Sequence, residues 1–262
     1  MKAYPSRILL LVLLGVSLSL KPATAMELVR ATDDTPGSPY IIGGGTSFDE
    51  QKPGIEIELY NLVAKHLNLQ VTFKRFAWIR CLQLLESGHV DGIFPASYKP
   101  ERMPLGAYPM KNGKVDSSRK TRDNTYYLYK LKGSPLKWDG QRITRLEGAI
   151  GVPVGWAIAG DLKDMGVAVA DIHLPASSMQ MLLHKRFAGL ALLETVADAY
   201  FREKTEEYNT IVKLSPPLKS KAYYLMLSHQ FIDRQPEMAE KIWNTIAEIM
   251  QTDAYKKMVA RY

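Results

Sequence analysis

The sequence PGIEIELYNLVAKHLNLQVTFKR, at residues 53–75, is the most informative guide to the architecture of this chain. Apolar side chains recur at helical spacing over Glu56–His66, and β-branched and aromatic residues follow at Leu69–Arg75. The next segment repeats this order, with helical spacing over Trp78–Ser87 and a short apolar run at Val90–Phe94. Strands that alternate with helices of this length predict parallel strands joined by helical crossovers.

The same alternation returns in the second half of the chain. The predicted strands are Ala149–Val154, Val167–Leu174 and Gly189–Leu193, and the predicted helices between them cover residues 155–162 and 177–186. Two β-α-β-α-β units of similar length predict an α/β protein with two lobes. Each lobe is expected to be an open, mostly parallel sheet flanked by helices.

Two further strands are predicted to cross between the lobes, at Tyr126–Lys132 and Lys221–Ser228. Lobe 1 is then expected to comprise residues 26–123 and 222–262, and lobe 2 residues 124–221. Ligands of open parallel sheets bind beyond the carboxyl ends of the strands. A ligand cleft is therefore expected where the strand ends of the two lobes face each other.

The first 25 residues have the features of a secretory signal peptide. Lys2 and Arg7 form a basic start, Ile8–Leu20 is an apolar run, and Ala23-Thr24-Ala25 is a small-residue cleavage site. The apolar run is shorter than the roughly 20 residues of a membrane-spanning helix, although an N-terminal membrane anchor stays open as the alternative. Cleavage after Ala25 predicts a soluble protein exported to the periplasm.

Composition and charge narrow the range of functions. With 46% hydrophobic and 23% charged residues among 262, the chain is expected to be globular rather than disordered. The net charge of +7 falls to +4 without the three basic residues of the signal peptide, which is too small to indicate nucleic-acid binding. The single cysteine, Cys81, excludes an internal disulfide, and the five histidines form no zinc motif. No metal or cofactor is expected.

With these motifs, the chain resembles the periplasmic solute-binding proteins of polar amino-acid ABC importers, known as solute-binding family 3. The resemblance rests on PGIEIEL at residues 53–59, ESGHVDG at residues 86–92, KPER at residues 99–102, and Gly151-Val152 followed by Gly155. It implies a type II periplasmic-binding-protein fold that closes over a small polar solute, such as an amino acid or a related carboxylate or amine. It also implies an inner-membrane ABC permease as partner, and a monomer.

The resemblance further implies a ligand pocket at the strand ends. Arg102, which closes the KPER motif, matches an arginine that clamps a ligand carboxylate, for which the guanidinium fork is suited. Ser97 matches a position that hydrogen-bonds the ligand, and Glu194 matches an acid that receives the ligand ammonium. The alternatives are a surface arginine, a turn serine and an acid that favours the next helix through its dipole. Asp33 or Asp34 could meet a basic ligand side chain.

Three aromatic residues complete the expected pocket. Tyr40 resembles an aromatic residue that walls the pocket in lobe 1, and Trp78 resembles the tryptophan of a family branch that reads W-x-R, with Arg80 as the arginine. Trp156 departs from the family, which carries serine or threonine there. It is expected to stack on a ligand or to fill the cleft instead of adding a hydroxyl group. Packing within the protein is the alternative for each of the three.

Three functions are compatible with these residues. The first is a binding protein without enzymatic activity, which closes around its solute and delivers it to an ABC importer. The second is a periplasmic dehydratase of the cyclohexadienyl type on the same scaffold, with Glu194 as the proton donor. The third is a ligand-sensing module. The sequence contains no catalytic triad or metal motif, and this favours binding over catalysis.

Overall fold

The computed structural model describes residues 26–262, and the predicted signal peptide at residues 1–25 lies outside the described residues. Strands and helices alternate along most of this part of the chain. The strands are β1 (Met26–Asp33), β2 (Leu69–Phe76), β3 (Gly92–Ser97), β4 (Met110–Lys111), β5 (Lys114–Val115), β6 (Arg122–Leu131), β7 (Lys137–Trp138), β8 (Ile143–Thr144), β9 (Ile150–Pro153), β10 (Val169–Ile172), β11 (Gly189–Leu193), β12 (Ile211–Lys213) and β13 (Lys219–Leu227). The helices are α1 (Ile55–His66), α2 (Trp78–Glu86), α3 (Ile158–Asp164), α4 (Ser178–Leu183), α5 (Glu194–Glu203), α6 (His229–Arg234), α7 (Pro236–Gln251) and α8 (Asp253–Val259).

One mixed sheet runs through both lobes. Its strand order is β10-β9-β11-β6-β13-β3-β1-β2, and β12 pairs with β6 beside this path. Strands β2 and β3 each pair with β1 in parallel, and β10 and β11 each pair with β9 in parallel. The long strands β6 and β13 run antiparallel to their neighbours and join the two parallel groups. The two predicted units and the two predicted crossover strands are therefore present.

We call the side of the sheet that contains β1–β3 lobe 1, and the side that contains β9–β11 lobe 2. The lobe boundaries predicted from the sequence fall within the crossover strands, the first inside β6 and the second inside β13. A strand shared by two lobes can bend without breaking its pairing on either side. The crossover strands are for this reason the positions at which the lobes would rotate relative to each other.

The core of lobe 1 is formed where α1 and α7 pack on the sheet. Val63 of α1 and Ile242 and Ile246 of α7 are fully buried in one apolar cluster. Burying a side chain of this size contributes about 1.5–3 kcal/mol, so α7 near the chain end stabilises α1. Gly54 precedes α1 with a φ of 114°, and a Cβ there would lie 2.3 Å from the carbonyl oxygen of Tyr40. Glycine is required at this position.

The short elements are the part of the fold that the sequence analysis misses. It assigns no element to the hairpins β4–β5 and β7–β8, to β12 or to α6. These strands have two or three residues, too few to show a periodic pattern. The strand predicted at Val90–Phe94 instead runs from Gly92 to Ser97, because Ala96 and Ser97 pair with β13.

Candidate functional site

A narrow cavity lies between the lobes, at the carboxyl ends of the parallel strands. Strands β1 and β3 of lobe 1 and β11 of lobe 2 contribute their last residues to it, and the segment after β9 closes one side. Open parallel sheets bind ligands at this position. Polar and aromatic residues that line the cavity include Asp33, Trp78, Ser97, Arg102, Tyr126 and Trp156.

Arg102 is anchored to both lobes. Its Nη1 donates to the carbonyl oxygen of Ser97 at 2.9 Å and to the Ser97 hydroxyl at 3.1 Å. Its Nη2 donates to the carbonyl oxygen of Gly155, in lobe 2, at 2.7 Å. The guanidinium group lies 5.5 Å from the ring centre of Trp78. Within residues 26–262, the N–H of Nε and the second N–H of Nη2 have no acceptor, so this buried cation keeps two N–H groups for a ligand.

Gly155 allows the lobes to approach each other beside Arg102. Its φ is 79°, and a Cβ at this position would lie 3.3 Å from Cδ1 of Trp78. Trp78 begins α2 and is 7% exposed. Because a positive φ and a close contact both favour glycine, the turn after β9 can bring its carbonyl oxygen within reach of Arg102.

Asp33 and Trp156 form a second contact between the lobes. Nε1 of Trp156 donates to Oδ2 of Asp33 at 3.3 Å, and the backbone N–H of Thr35 donates to Oδ1 at 2.7 Å. Burial raises the pKa of Asp33 from 3.8 to about 6, and the hydrogen bonds from Thr35 and Trp156 oppose this rise. The carboxyl group is therefore ionised at neutral pH but incompletely stabilised, and a cation in the cavity would lower its energy.

The crossover strands form the floor of the cavity with two tyrosines. Tyr126 lies on β6 and Tyr223 on β13, and the Tyr223 hydroxyl donates to the Tyr126 hydroxyl at 2.9 Å. Burial raises the pKa of both hydroxyl groups, so both stay protonated at neutral pH. Trp156 packs edge-on against Tyr126, with 6.1 Å between ring centres. Trp156 thus fills part of the cleft and also borders the cavity.

Arg122, the first residue of β6, is a second arginine in the cavity wall. Its guanidinium group stacks 3.9 Å from the ring centre of Tyr40. Its Nη2 lies 3.5 Å from Oε2 of Glu56, which is buried. Tyr40, expected from the sequence to wall the pocket, is covered by Arg122 and is not among the residues that line the cavity.

Glu194 lies elsewhere than the sequence analysis expects. Its Oε1 accepts a hydrogen bond from Nζ of Lys213 at 2.7 Å, and both side chains are more than a third exposed. Its neighbours Leu193 and Thr195 line the cavity, whereas Glu194 does not. Glu194 begins α5, and it points away from its neighbours toward β12. The structure therefore does not bring this carboxylate to Arg102.

The structure brings four of the six residues singled out from the sequence to one cavity, and their role in binding stays a prediction. These four are Trp78, Ser97, Arg102 and Trp156. The sequence analysis missed Arg122, Tyr126 and Tyr223, which also line the cavity. A sequence pattern could have identified two of them, Arg122 and Tyr126. With Asn124, they occupy every second position along β6 and share one buried face.

Several other groups lie outside the cavity. Arg80 is exposed on α2. Cys81 is fully buried, with Sγ 3.3 Å from the carbonyl oxygen of Thr32, and burial raises the pKa of the thiol well above its usual range. Burial and the raised pKa both disfavour the reactive thiolate form. Within residues 26–262, no group of three or more His, Cys, Asp or Glu side chains is placed to hold a metal ion. None of the helices described here has the length and apolarity needed to cross a membrane.

Comparison with known families identifies one match. The sequence model of a family described as bacterial extracellular solute-binding proteins, family 3, matches residues 46–262. A search of the curated proteins finds no match. The matched segment covers most of the chain, including lobe 2, lobe 1 apart from β1 and the first part of the loop after it, and every residue of the cavity wall beyond Ile41.

Solved structures share the fold over nearly their whole length. An ancestral arginine-binding protein bound to arginine has 20% identity and a TM-score of 0.69, covering 91% of this chain and 99% of its own. A histidine kinase sensor domain has 15% identity and a TM-score of 0.72, covering 91% and 96%. The GluR0 ligand-binding core from Nostoc punctiforme, in complex with L-glutamate, has 12% identity and a TM-score of 0.67, covering 90% and 98%. At these identities the similarity shows the fold, which is of the type II periplasmic-binding-protein kind.

Proposed function

Because the chain belongs to the bacterial extracellular solute-binding proteins of family 3, we propose that it binds a small polar solute between its lobes. The proposed solute is an amino acid or a related molecule that carries a carboxylate and an amine. The proposed role is delivery of this solute to an inner-membrane ABC importer, after export of the protein to the periplasm. The family and the fold are those of solute-binding proteins, which are not enzymes.

The observation that carries the proposal is the presence of a buried cation and a partly buried carboxylate in one cavity. Arg102 has an N–H group available on Nε, and Asp33 is ionised at neutral pH although burial disfavours its charge. A carboxylate beside Arg102 and an ammonium beside Asp33 would satisfy both groups.

The contacts between the lobes support a mechanism of closure. Arg102 bonds to Gly155 and Trp156 bonds to Asp33, and each of these bonds joins lobe 1 to lobe 2. A solute that touches Arg102, Asp33 and Trp156 would make all its contacts only when the lobes are together. Its binding would therefore shift the population toward the closed arrangement, which a permease can distinguish from the open one.

The ligands of the structural neighbours are consistent with this solute class. The neighbours with the same fold include proteins bound to arginine, to glutamine and to L-glutamate. Each of these ligands carries an α-carboxylate and an α-ammonium group. Their likeness to this chain concerns the fold, so the pocket residues of this chain determine which solute it takes.

A sensing role is the second function, and one observation favours it. The histidine kinase sensor domain matches with a TM-score of 0.72 and almost complete coverage of both chains. A binding protein of this fold can therefore pass its closure to a signalling partner instead of an importer. Uptake of the labelled solute in cells that lack the protein separates these functions, because only the importer role predicts a loss of uptake.

A thermal-shift screen tests the proposal. The full chain is expressed, and the exported product is purified, unfolded to release bound solute and refolded. It is then heated with each of the common amino acids, dicarboxylates and polyamines. A solute at about 1,000 times its Kd adds roughly 4 kcal/mol, which corresponds to a melting shift of about 8–16 °C for a chain of this size.

Two arginine variants make the screen specific for the cavity. Arg102→Gln removes the buried cation, whereas Arg80→Gln removes an exposed cation of the same lobe. We expect the shift to be lost in Arg102→Gln and kept in Arg80→Gln. A shift that survives Arg102→Gln would contradict the proposed pocket, and the absence of a shift with every compound would contradict the proposed solute class.

A further inference from the structure

Arg122 has hydrogen-bond donors without acceptors at the wall of the cavity. The residue is 9% exposed, and among the described residues its buried Nε and Nη1 have no hydrogen-bond partner. Buried donors normally have acceptors, and a charged donor without one is costly. A ligand group that accepts hydrogen bonds would remove this cost. Nothing in the proposed function so far uses these two nitrogens.

The side chains around Arg122 hold its guanidinium group in place but do not accept hydrogen bonds from its Nε and Nη1. Tyr40 stacks on the guanidinium group at 3.9 Å, and the ring centre of Tyr223 lies at 5.9 Å. Oε2 of Glu56 lies 3.5 Å from Nη2, too far for a good hydrogen bond, and this oxygen also lacks a partner. Glu56 therefore balances the charge of Arg122 but leaves its N–H groups unbonded. A stacked arginine with unbonded N–H groups is preorganised to bind an anion.

Arg122 and Arg102 are close enough to serve one solute. Both line the same cavity. Tyr223 on β13 pairs with Arg122 on β6 at one side and with Ser97 on β3 at the other. Arg102 donates to the Ser97 hydroxyl, and the guanidinium group of Arg122 lies 5.9 Å from the ring centre of Tyr223. Tyr223 therefore lies between the two cations.

We propose that Arg122 is a second anion-binding residue of the cavity, so that the preferred solute carries two anionic groups and one amine. This inference rests on the proposed function and narrows its solute class to acidic amino acids and similar dicarboxylates with an amine. Arg102 holds one carboxylate, Arg122 holds the other, and Asp33 accepts the ammonium group. Each charged group of the solute then faces a side chain of opposite charge in the wall.

Two pairs of probes test this inference without any mutation. L-glutamate and L-glutamine, and L-aspartate and L-asparagine, differ only by a carboxylate in place of an amide. Binding of each probe to the refolded protein is measured by titration calorimetry at neutral pH. We expect at least one acid to bind ten to a hundred times more tightly than its amide, as a charge-assisted hydrogen bond requires.

Variants of Arg122 test whether the difference in affinity between acid and amide depends on this residue. In Arg122→Gln, affinity for the preferred acid is expected to fall ten- to a hundredfold, and affinity for its amide by less than about threefold. Arg80→Gln is the control, because it removes an exposed positive charge from the same lobe. Arg122→Gln leaves the carboxylate of Glu56 buried without its cation. The double variant Glu56→Gln/Arg122→Gln removes both charges and replaces the single variant if the latter does not fold.

The outcomes separate this inference from the proposed function. Equal affinity for acid and amide, or equal loss of both in the Arg122 variants, overturns the inference. If neither acid binds but another amino acid does, with a loss in Arg102→Gln, the inference fails and the proposed function stands. If no compound of the wider screen binds, both fail. Tighter binding of an acid that depends on Arg122 supports both.

Discussion

The substitution Asp33→Asn is expected to make the protein without ligand more stable at neutral pH. Burial raises the pKa of Asp33 from 3.8 to about 6, and this rise corresponds to at most about 3 kcal/mol of folding free energy. Asparagine carries no charge and avoids this cost. The bond from Trp156 to Asp33 is weakened by the change, at about 1 kcal/mol. The net gain is about 2 kcal/mol.

The sign of this effect depends on pH. Below pH 3.8, Asp33 is protonated in both the folded and the unfolded chain, so its burial carries no charge cost. Between pH 3.8 and about 6, the folded chain keeps the proton longer, and wild-type stability falls as pH rises. Above pH 6, the carboxyl group is ionised in both states and the full cost of burying its charge applies. The stability of Asp33→Asn relative to wild type should therefore increase from about −1 kcal/mol near pH 3.5 to about +2 kcal/mol at pH 8.

Thermal unfolding of both proteins without ligand, between pH 3.5 and pH 8, measures this difference. A gain of 2 kcal/mol corresponds to a melting temperature about 4–8 °C higher at pH 8 for a chain of this size. A variant of Asp33 that is less stable than wild type at pH 8, or a difference that does not change with pH, would refute the reasoning. The same variant should lose affinity for a solute that carries an ammonium group.

Three other substitutions have distinct expected results. Trp156→Phe keeps an aromatic ring but removes the Nε1 donor to Asp33, so solute affinity should fall about two- to tenfold in calorimetry. Unchanged affinity would show that this bond does not support closure. Glu194→Gln breaks an exposed ion pair with Lys213 and should lower the free energy of unfolding, measured by chemical denaturation, by less than about 1 kcal/mol. Solute affinity should not change. A large loss of affinity would show that Glu194 contacts the solute. Gly155→Ala imposes a positive φ on alanine and should lower the melting temperature by a few degrees, at a cost of roughly 1–3 kcal/mol; an unchanged melting temperature would contradict the requirement for glycine.

The two-lobed fold could be predicted because its main elements are long and regular. The helix α1 and the strand β11 have the bounds expected from hydrophobic spacing to within one residue, and the expected alternation of strands and helices is present in both lobes. The hairpins β4–β5 and β7–β8 could not be predicted, because two-residue strands contain no period. Their formation depends on contacts with residues distant in the sequence.

The cavity was harder to predict than the fold. Arg102 and Ser97 follow a motif with a fixed spacing, so their neighbourhood could be expected. Glu194 differs from this case, because its position at a strand end was visible but the direction of its side chain was not. In the structure that direction is set by Lys213 on β12, a strand that the sequence analysis does not find. Arg122 was overlooked because it lies on a crossover strand rather than at the end of a parallel one.

Titration calorimetry of the refolded protein with the solute of largest melting shift tests the central claim most directly, namely that the cavity at Arg102 is the solute site. The account predicts one binding site per chain, and an affinity at least tenfold weaker in Arg102→Gln than in wild type or in Arg80→Gln. Equal affinity in all three proteins, or the absence of saturable binding by wild type, would contradict it.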